Sequence, residues 1–217
     1  MLLPYIPLLK DKKIMLASQS KGRFDILSNT GLKFEVSPST FEEDLPKTDF
    51  ASPKDYGYAT AKGKFDNKIA ELMASGSQVD VLIAADTIID FKGEVLEKPR
   101  DEAHAVEMHT RLNGQTHDVY TTAFIGIFET HGEERKLVDW DSCTGWTSVT
   151  FAERSEEQIK AYVATGDCYG KAGGYGCQGV GSSIIERTDG CFYNMWGFPL
   201  NPFCKMFEKL ILKHYKQ

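Results

Sequence analysis

The chain has 217 residues, of which 41% are hydrophobic, enough for the core of one domain or of two closely packed lobes. Its formal net charge of −6 excludes broad binding to a nucleic-acid polymer, which requires clustered lysine and arginine, so any nucleotide partner should be small. Five cysteines without a CxxC pair indicate neither a disulfide framework nor a zinc site, and they favour a reducing, cytoplasmic location.

The N-terminal residues 1–9, MLLPYIPLL, are apolar but short. Pro4 and Pro7 interrupt them and no basic segment precedes them, so they do not fit a signal peptide or a membrane anchor. We expect them to form an arm packed on a single domain that spans residues 1–217.

A strand is predicted over residues 12–17, followed by the loop that contains Ser18 and Ser20 and by a helix that begins near Gly22. Unpaired N–H groups and the positive end of a helix dipole meet at such a junction, which favours an anion. Ser18, Ser20 and Arg23 would add side-chain donors to a phosphate. The alternative is that the serines only cap the helix and the arginine lies on the surface.

A short strand over residues 33–37 is predicted to lead into an acidic loop over residues 38–44. Glu43 in this loop is either an ordinary surface charge or a ligand for a hard cation. The helix predicted over residues 54–74 has apolar residues at spacings of three and four, and Lys62 lies beside that apolar face.

Residues 81–85 form an apolar, β-branched run typical of a buried strand, and Asp86 follows it. We therefore expect Asp86 at a strand end, where a carboxylate requires a cation or a hydrogen bond. Residues 88–96 read as a β-hairpin that turns at Lys92-Gly93 and returns Lys98 toward the same edge of the sheet.

A helix over residues 101–112 carries His104 and His109, whose spacing of five does not match the i, i+4 pair of a metal-binding helix. His117 is interpreted as structural. Two long strands over residues 119–128 and 137–151 are predicted to pair across residues 131–134.

A capping box that begins at Ser155 predicts another helix, which leads into a loop with six glycines between residues 169 and 181. Glycines let the backbone approach a ligand closely, although they also make a loop flexible. Lys171 and Gln178 within the loop favour recognition of a substrate. A strand over residues 182–186 and a final helix after Asn201-Pro202 complete the prediction.

Four motifs in this order resemble those of the Maf/HAM1-like nucleoside triphosphate pyrophosphatases: LASQSKGR, AADTIIDFKGEVLEKP, LNGQTHDVYT, and YGKAGGYGCQG followed by GFPL. The resemblance covers about residues 13–212. It implies an α/β fold in which an elongated, mixed and twisted sheet is flanked by helices and a central cleft separates two lobes. It also implies hydrolysis of a nucleoside triphosphate to the monophosphate and pyrophosphate with a divalent metal, Mg²⁺ or Mn²⁺. Members of that family are often dimers, so a homodimer is one expected assembly.

The same resemblance implies site residues. The proton-accepting aspartate of the family falls on Asp86, its acidic loop residue on Glu43, the lysine of its A-x-x-K motif on Lys62 and its hairpin lysine on Lys98. Together with Arg23, the two lysines would stabilise the charge that gathers on the phosphates. The sequence leaves open whether Asp86 accepts a proton or binds the metal.

Base preference, by the same resemblance, depends on three positions. Thr87 and Gln178 match the branch that acts on dTTP and UTP, whereas the 7-methyl-GTP branch has a glutamate at the Gln178 position. Where the pyrimidine branch reads SPRR this chain reads SKGR, so Gly22 replaces an arginine. That change is expected either to open space for a larger base or to let Lys21 substitute.

Two other classes of function stay open at this point. One is a non-catalytic nucleotide- or sugar-binding module, and the other is a regulator of cell division, suggested by the septum-formation association of the family's name. An assay of pyrophosphate release with Mg²⁺ or Mn²⁺ separates both from the enzyme.

Overall fold

The computed structural model describes residues 1–131 and 134–216, so the centre of the predicted turn at residues 131–134 lies outside the described residues. The strands run over Ile14–Leu16 (β1), Glu35–Val36 (β2), Val81–Phe91 (β3), Glu94–Leu96 (β4), Thr116–His131 (β5), Glu134–Phe151 (β6) and Ile185–Gly190 (β7). The α-helices run over Lys21–Ser28 (α1), Pro53–Ser75 (α2), Glu102–Arg111 (α3), Glu156–Ala164 (α4), Phe192–Met195 (α5) and Leu200–His214 (α6).

The strands form one mixed sheet in the order β2-β1-β3-β5-β6-β7, with β4 paired to β3. β1 is parallel to β2 and β3, and the remaining pairs are antiparallel. This arrangement of one mixed sheet with helices confirms the predicted α/β class.

One edge of β3 is paired in two separate places. β1 pairs with it from Val81 to Ile83, and β4 pairs with it from Ile89 to Phe91, while β5 occupies the opposite edge from Val81 to Asp90. In the described part of the chain, the middle of β3 therefore has a neighbouring strand on only one edge. This unpaired stretch of the β3 edge is called the gap below.

Helix α2 covers one face of the sheet. Its N-terminus is capped by Ser52, whose hydroxyl accepts from the Asp55 N–H at 3.2 Å, and it ends at Gly76, which has the left-handed conformation (φ 64°). Phe65 and Leu72 pack on the sheet in one buried cluster, which confirms the predicted amphipathic helix.

The opposite face is covered by α1, α6 and the N-terminal segment Leu3–Leu9, a 3₁₀-helix. Leu2 and Leu9 are only 2% and 5% exposed, so the N-terminal residues form a packed arm as predicted. None of the helices in the described residues is long and apolar enough to cross a bilayer.

A further buried cluster contains Ile89 and Leu96 of the β3–β4 hairpin together with residues of α3, α4 and the glycine-rich segment. It lies beyond the gap in β3, on the side away from β1. The sheet thus joins two lobes, and the gap lies between them.

The predicted strand over residues 182–186 is wrong in its first part. Residues Gly179–Ile184 form a 3₁₀-helix, and β7 begins only at Ile185. The hydroxyls of Ser182 and Ser183 each donate to a backbone carbonyl three residues earlier, both at 2.7 Å. These local bonds compete with strand pairing.

Candidate active site

Asp86 lies in the middle of β3 and not at its end, which corrects the sequence-based prediction. It pairs with Thr122 of β5, and the strand continues through the β-branched residues Thr87 and Ile88. Its side chain points to the α2 face and the residue is only 7% exposed.

Lys64 of α2 is the cation that Asp86 contacts. Its Nζ lies 2.6 Å from Asp86 Oδ1 and 2.8 Å from Glu43 Oε1, and its side chain is 13% exposed. Lys98 Nζ approaches the same Glu43 oxygen at 3.4 Å. Four charged residues from separate parts of the chain therefore meet in the gap, and three of them, Glu43, Asp86 and Lys98, were expected there.

Glu43 is held as a carboxylate by this arrangement. Partial burial acts to raise its pKa, but hydrogen bonds and charge interactions with Lys64 and Lys98 outweigh that effect, so the pKa lies below its ordinary value. At neutral pH the acidic loop consequently presents an ionised oxygen to the site.

The structure does not bring Lys62 to Asp86. Its Nζ bonds Asp66 one turn along α2 at 2.6 Å and lies 5.4 Å from the centre of the Trp140 ring. The motif A-x-x-K occurs twice in overlap, from Ala59 to Lys62 and from Ala61 to Lys64. Two residues correspond to about 200° around a helix, so only the second lysine faces the carboxylate.

Arg23 is buried beside the carboxylate cluster at 8% exposure. Its guanidinium donates to the Gly197 carbonyl at 3.0 Å, to Ser18 Oγ at 3.0 Å and to Thr87 Oγ1 at 2.9 Å. Burial lowers its pKa, whereas the negative charges of Asp86 and Glu43 act to raise it. Arg23, Ser18 and Thr87 thus form one polar group next to Asp86.

Ser20 has the capping role that was the alternative interpretation. Its hydroxyl accepts from the Arg23 backbone N–H at 3.4 Å as the N-cap of α1. Lys21 forms an exposed ion pair with Asp25 at 2.6 Å. A phosphate role for Ser20 remains a prediction.

Gly22 does not open a space, so the first of the two expectations for this position is wrong. A Cβ atom at this position would lie 2.9 Å from the ring and the carbonyl oxygen of Trp196. The indole of Trp196 fills the space beside α1, and no pattern in the sequence indicated this contact.

Lys171 and Gln178 of the glycine-rich segment were expected to recognise a substrate. Lys171 donates to the carboxylate and the carbonyl of Asp167, both at 2.5 Å, and so closes its own loop. Gln178 is exposed and precedes the 3₁₀-helix without a side-chain capping bond. No contact of Lys171 or Gln178 with Asp86 is found among the described residues, so their roles in binding remain predictions.

The same segment is nevertheless attached to the residues that flank Lys98. The Gly173 N–H donates to the Glu97 carbonyl at 3.0 Å. His109 Nε2 lies 2.7 Å from the Gly174 carbonyl oxygen, and His117 Nε2 lies 2.7 Å from the Tyr175 hydroxyl. Both histidines are buried with these partners, so His117 has the structural position that was expected.

A second ion pair, not anticipated from the sequence, connects a residue just after the acidic loop to the residue just after β4. Lys47 Nζ lies 2.5 Å from Glu97 Oε1, next to the Lys98–Glu43 pair. Both partners are exposed, so the pair contributes little stability by itself.

Glu43 and Asp86 are the residues of the cluster that would hold a divalent cation. Glu43 Oε1 and Asp86 Oδ1 both contact the Lys64 ammonium, so the two oxygens lie close together. No group of three or more His, Cys, Asp or Glu side chains suited to a metal occurs among the described residues. Mg²⁺ is commonly bound by one or two carboxylates together with water and substrate phosphates, which agrees with this donor set.

Comparisons with known proteins point to one family. The chain is 42% identical over 211 residues to a human protein named as a probable bifunctional dTTP/UTP pyrophosphatase/methyltransferase, covering 96% of this chain but 34% of the human protein. It is 37% identical to the dTTP/UTP pyrophosphatase of Clostridium perfringens (strain SM101 / Type A), covering 90% of this chain and 96% of that protein.

The dTTP/UTP pyrophosphatase of Caldicellulosiruptor bescii is 35% identical over 92% of this chain and 95% of its own length. The Staphylococcus aureus Ham1 structure, at 14% identity over 80% of both chains and a TM-score of 0.40, is too distant to carry an argument. The family model described as Maf-like protein matches residues 13–210. The chain therefore belongs to the Maf-like protein family.

Proposed function

We propose that this protein hydrolyses a nucleoside triphosphate, preferably dTTP or UTP, to the monophosphate and pyrophosphate. The observation that carries the proposal is the convergence of Asp86, Lys64, Glu43 and Lys98 in the gap of β3, beside buried Arg23. The names of the bacterial relatives, whose lengths this chain nearly spans, support the same reaction.

The cationic side chains bind and stabilise the phosphates. Attack of water on a phosphoanhydride gathers negative charge on the phosphoryl oxygens and on the leaving pyrophosphate, and preorganised cations lower the energy of that state. Lys64 and Lys98 approach the site from different elements, so they can contact different phosphates. Arg23 is already fixed by three hydrogen bonds and requires little reorganisation.

Asp86 is assigned as the group that accepts a proton from the attacking water. Its Oδ1 is bonded to Lys64, and its position in a strand paired with β5 fixes the direction of the carboxylate. Glu43 and Asp86 would hold Mg²⁺ or Mn²⁺, which when bound polarises phosphate oxygens and makes a coordinated water more acidic. The negative charge of Glu43 would then offset part of the positive charge of the metal ion on the side of the acidic loop.

The pyrimidine preference rests on Thr87 and Gln178. The Thr87 hydroxyl is fixed between Arg23 and Thr121, at 2.9 Å and 3.0 Å, so it keeps one orientation at the edge of the site. The exposed amide of Gln178 has both a donor and an acceptor, which suits the O4 and N3–H of uracil or thymine.

Five cysteines without a disulfide support a reducing cytoplasmic location. A homodimer remains a prediction.

The test is a comparison of pyrophosphate release from dTTP, UTP, CTP, GTP and 7-methyl-GTP with Mg²⁺ or Mn²⁺. We expect kcat/KM to be highest for UTP and dTTP, with no turnover in the presence of a chelator. A preference for 7-methyl-GTP would overturn the assignment of a pyrimidine substrate. If no nucleotide released pyrophosphate, the proposed enzymatic activity would be rejected in favour of a non-catalytic binding module.

A further inference from the structure

Three aromatic side chains lie together on and just after the short helix α5. Phe192 and Tyr193 are 45% and 42% exposed, and Trp196 is half-buried. The Trp196 ring stacks with that of Tyr193 at an interplanar angle of 20° and a centroid distance of 6.2 Å, and Phe192 lies 6.0 Å away. The indole is therefore supported by neighbouring rings while part of its surface stays accessible.

Trp196 lies directly against the start of α1. A Cβ atom on Gly22 would come within 2.9 Å of Trp196 Cδ1, Nε1 and the backbone oxygen, which is closer than the usual contact distance of about 3.5–4.0 Å. The indole can occupy this place because residue 22 is glycine. Gly22 and Trp196 are thus a matched pair, and any larger residue at position 22 would displace one of them.

The residue that follows Trp196 connects it to the candidate active site. The Gly197 carbonyl accepts from Arg23 Nε at 3.0 Å, and a Cβ atom on Gly197 would lie 3.6 Å from Thr87 Oγ1. Thr87 in turn follows Asp86 in β3. Trp196 is consequently next in the chain to a residue that contacts Arg23 and lies close to Thr87.

We propose that Trp196 forms an aromatic wall on which the base of the bound nucleotide stacks. This inference rests on the proposed function, which places the phosphates at Lys64 and Lys98. In this proposal the base extends from the lysines past the Arg23–Thr87 group to the indole, which is partly accessible and is supported by neighbouring rings. Every base has a π-face, so stacking contributes affinity without distinguishing one base from another. Trp196 supplies affinity for nucleotides in general, and discrimination among bases comes from hydrogen-bonding groups.

The test measures binding of UMP and of inorganic pyrophosphate separately, by titration calorimetry, which does not depend on turnover. In Trp196→Ala we expect UMP to bind at least about 5-fold more weakly, the lower end for the loss of one stacking contact. Pyrophosphate binding should stay within about twofold. Trp196→Phe keeps a ring and should retain most of the UMP affinity.

Two further variants control for a general structural effect. Gly22→Ala places a methyl group against the indole and should weaken UMP binding in the same way as the loss of the ring. Trp146→Ala removes a tryptophan that is 44% exposed on β6, and it should leave both affinities unchanged.

Unchanged UMP binding in Trp196→Ala would overturn the proposal, as would an equal loss of pyrophosphate binding or the absence of UMP binding by the wild type. Pyrophosphate release from UTP by the wild-type protein is measured alongside. Normal release together with unchanged UMP binding in Trp196→Ala rejects only the stacking wall, whereas no release by the wild type rejects the proposed function itself.

Discussion

Replacing Lys64 by methionine should damage both stability and catalysis. Lys64 is 13% exposed as a side chain and is the cation next to Asp86, whose side chain is 8% exposed. Removing one partner of a buried ion pair costs about 3–5 kcal/mol, because the remaining charge stays desolvated. We expect the lower end, about 3 kcal/mol of unfolding free energy, since the other contact, Glu43, is partly exposed to water.

Catalysis should suffer in addition to stability. Loss of a group that stabilises developing charge lowers kcat by about 10²–10³-fold. Without the Lys64 ammonium the pKa of Glu43 should also rise, because that cation is the first of the interactions that lower it. A carboxylate with a lowered pKa adds stability that is present at neutral pH and lost as the pH falls through that pKa. Because Glu43 would be protonated at a higher pH without Lys64, the acid limb of the pH–rate profile should also move to higher pH in Lys64→Met.

Lys62→Met is the matched control, since it removes a lysine two residues away on the same helix. Its pair with Asp66 is partly exposed, so the change should cost about 0.5 kcal/mol or less and leave kcat/KM within about twofold. Both variants are measured by chemical denaturation and by initial rates of pyrophosphate release. Near-normal turnover in a folded Lys64→Met, or an equal loss in Lys62→Met, would refute the assignment.

Four other outcomes are expected. Asp86→Asn should lose at least about 100-fold in kcat while the protein stays folded, and near-normal turnover would reject the base assignment. Glu43→Gln should raise the metal concentration needed for the half-maximal rate, and an unchanged titration would make the acidic loop an ordinary surface. Gln178→Glu should lower kcat/KM for UTP and dTTP, because a carboxylate cannot donate to O4, and equal rates would remove this residue from base recognition. Burial lowers the pKa of His109 and of His117 to about 4, so stability should fall as the pH drops from about 6.5 toward 4, where the unfolded chain binds more protons. Denaturation across that range, with His117→Gln expected to flatten the slope, checks this.

The fold was predictable where local signals were strong. Helix caps such as Ser155 and the turn at Lys92-Gly93 mark the ends of elements in the sequence, and these elements were predicted to within a few residues. The position of Asp86 was not predictable in this way, because a strand is allowed to continue past a charged residue when a neighbouring strand pairs with it. That pairing partner, Thr122, lies on a strand from another part of the sequence.

The site was predictable in its types of residue but not in its contacts. The resemblance to a known family identified Glu43, Asp86 and Lys98, which the structure brings together. It placed the motif lysine on Lys62, whereas Lys64, which completes the same motif two residues later, is the lysine that contacts Asp86. Only packing decides which face of α2 meets the sheet. Contacts between distant segments, such as the one between Trp196 and α1, leave no periodic pattern in the sequence.

The central claim is hydrolysis between the α- and β-phosphates at the Asp86–Lys64 cluster, and product analysis tests it most directly. UTP is incubated with the wild-type protein and Mg²⁺, and the products are resolved by ³¹P NMR. We predict UMP and pyrophosphate in equal amounts, at a rate that falls at least about 100-fold in Asp86→Asn. The appearance of UDP and inorganic phosphate, or undiminished formation of UMP by the Asp86→Asn protein, would contradict the account.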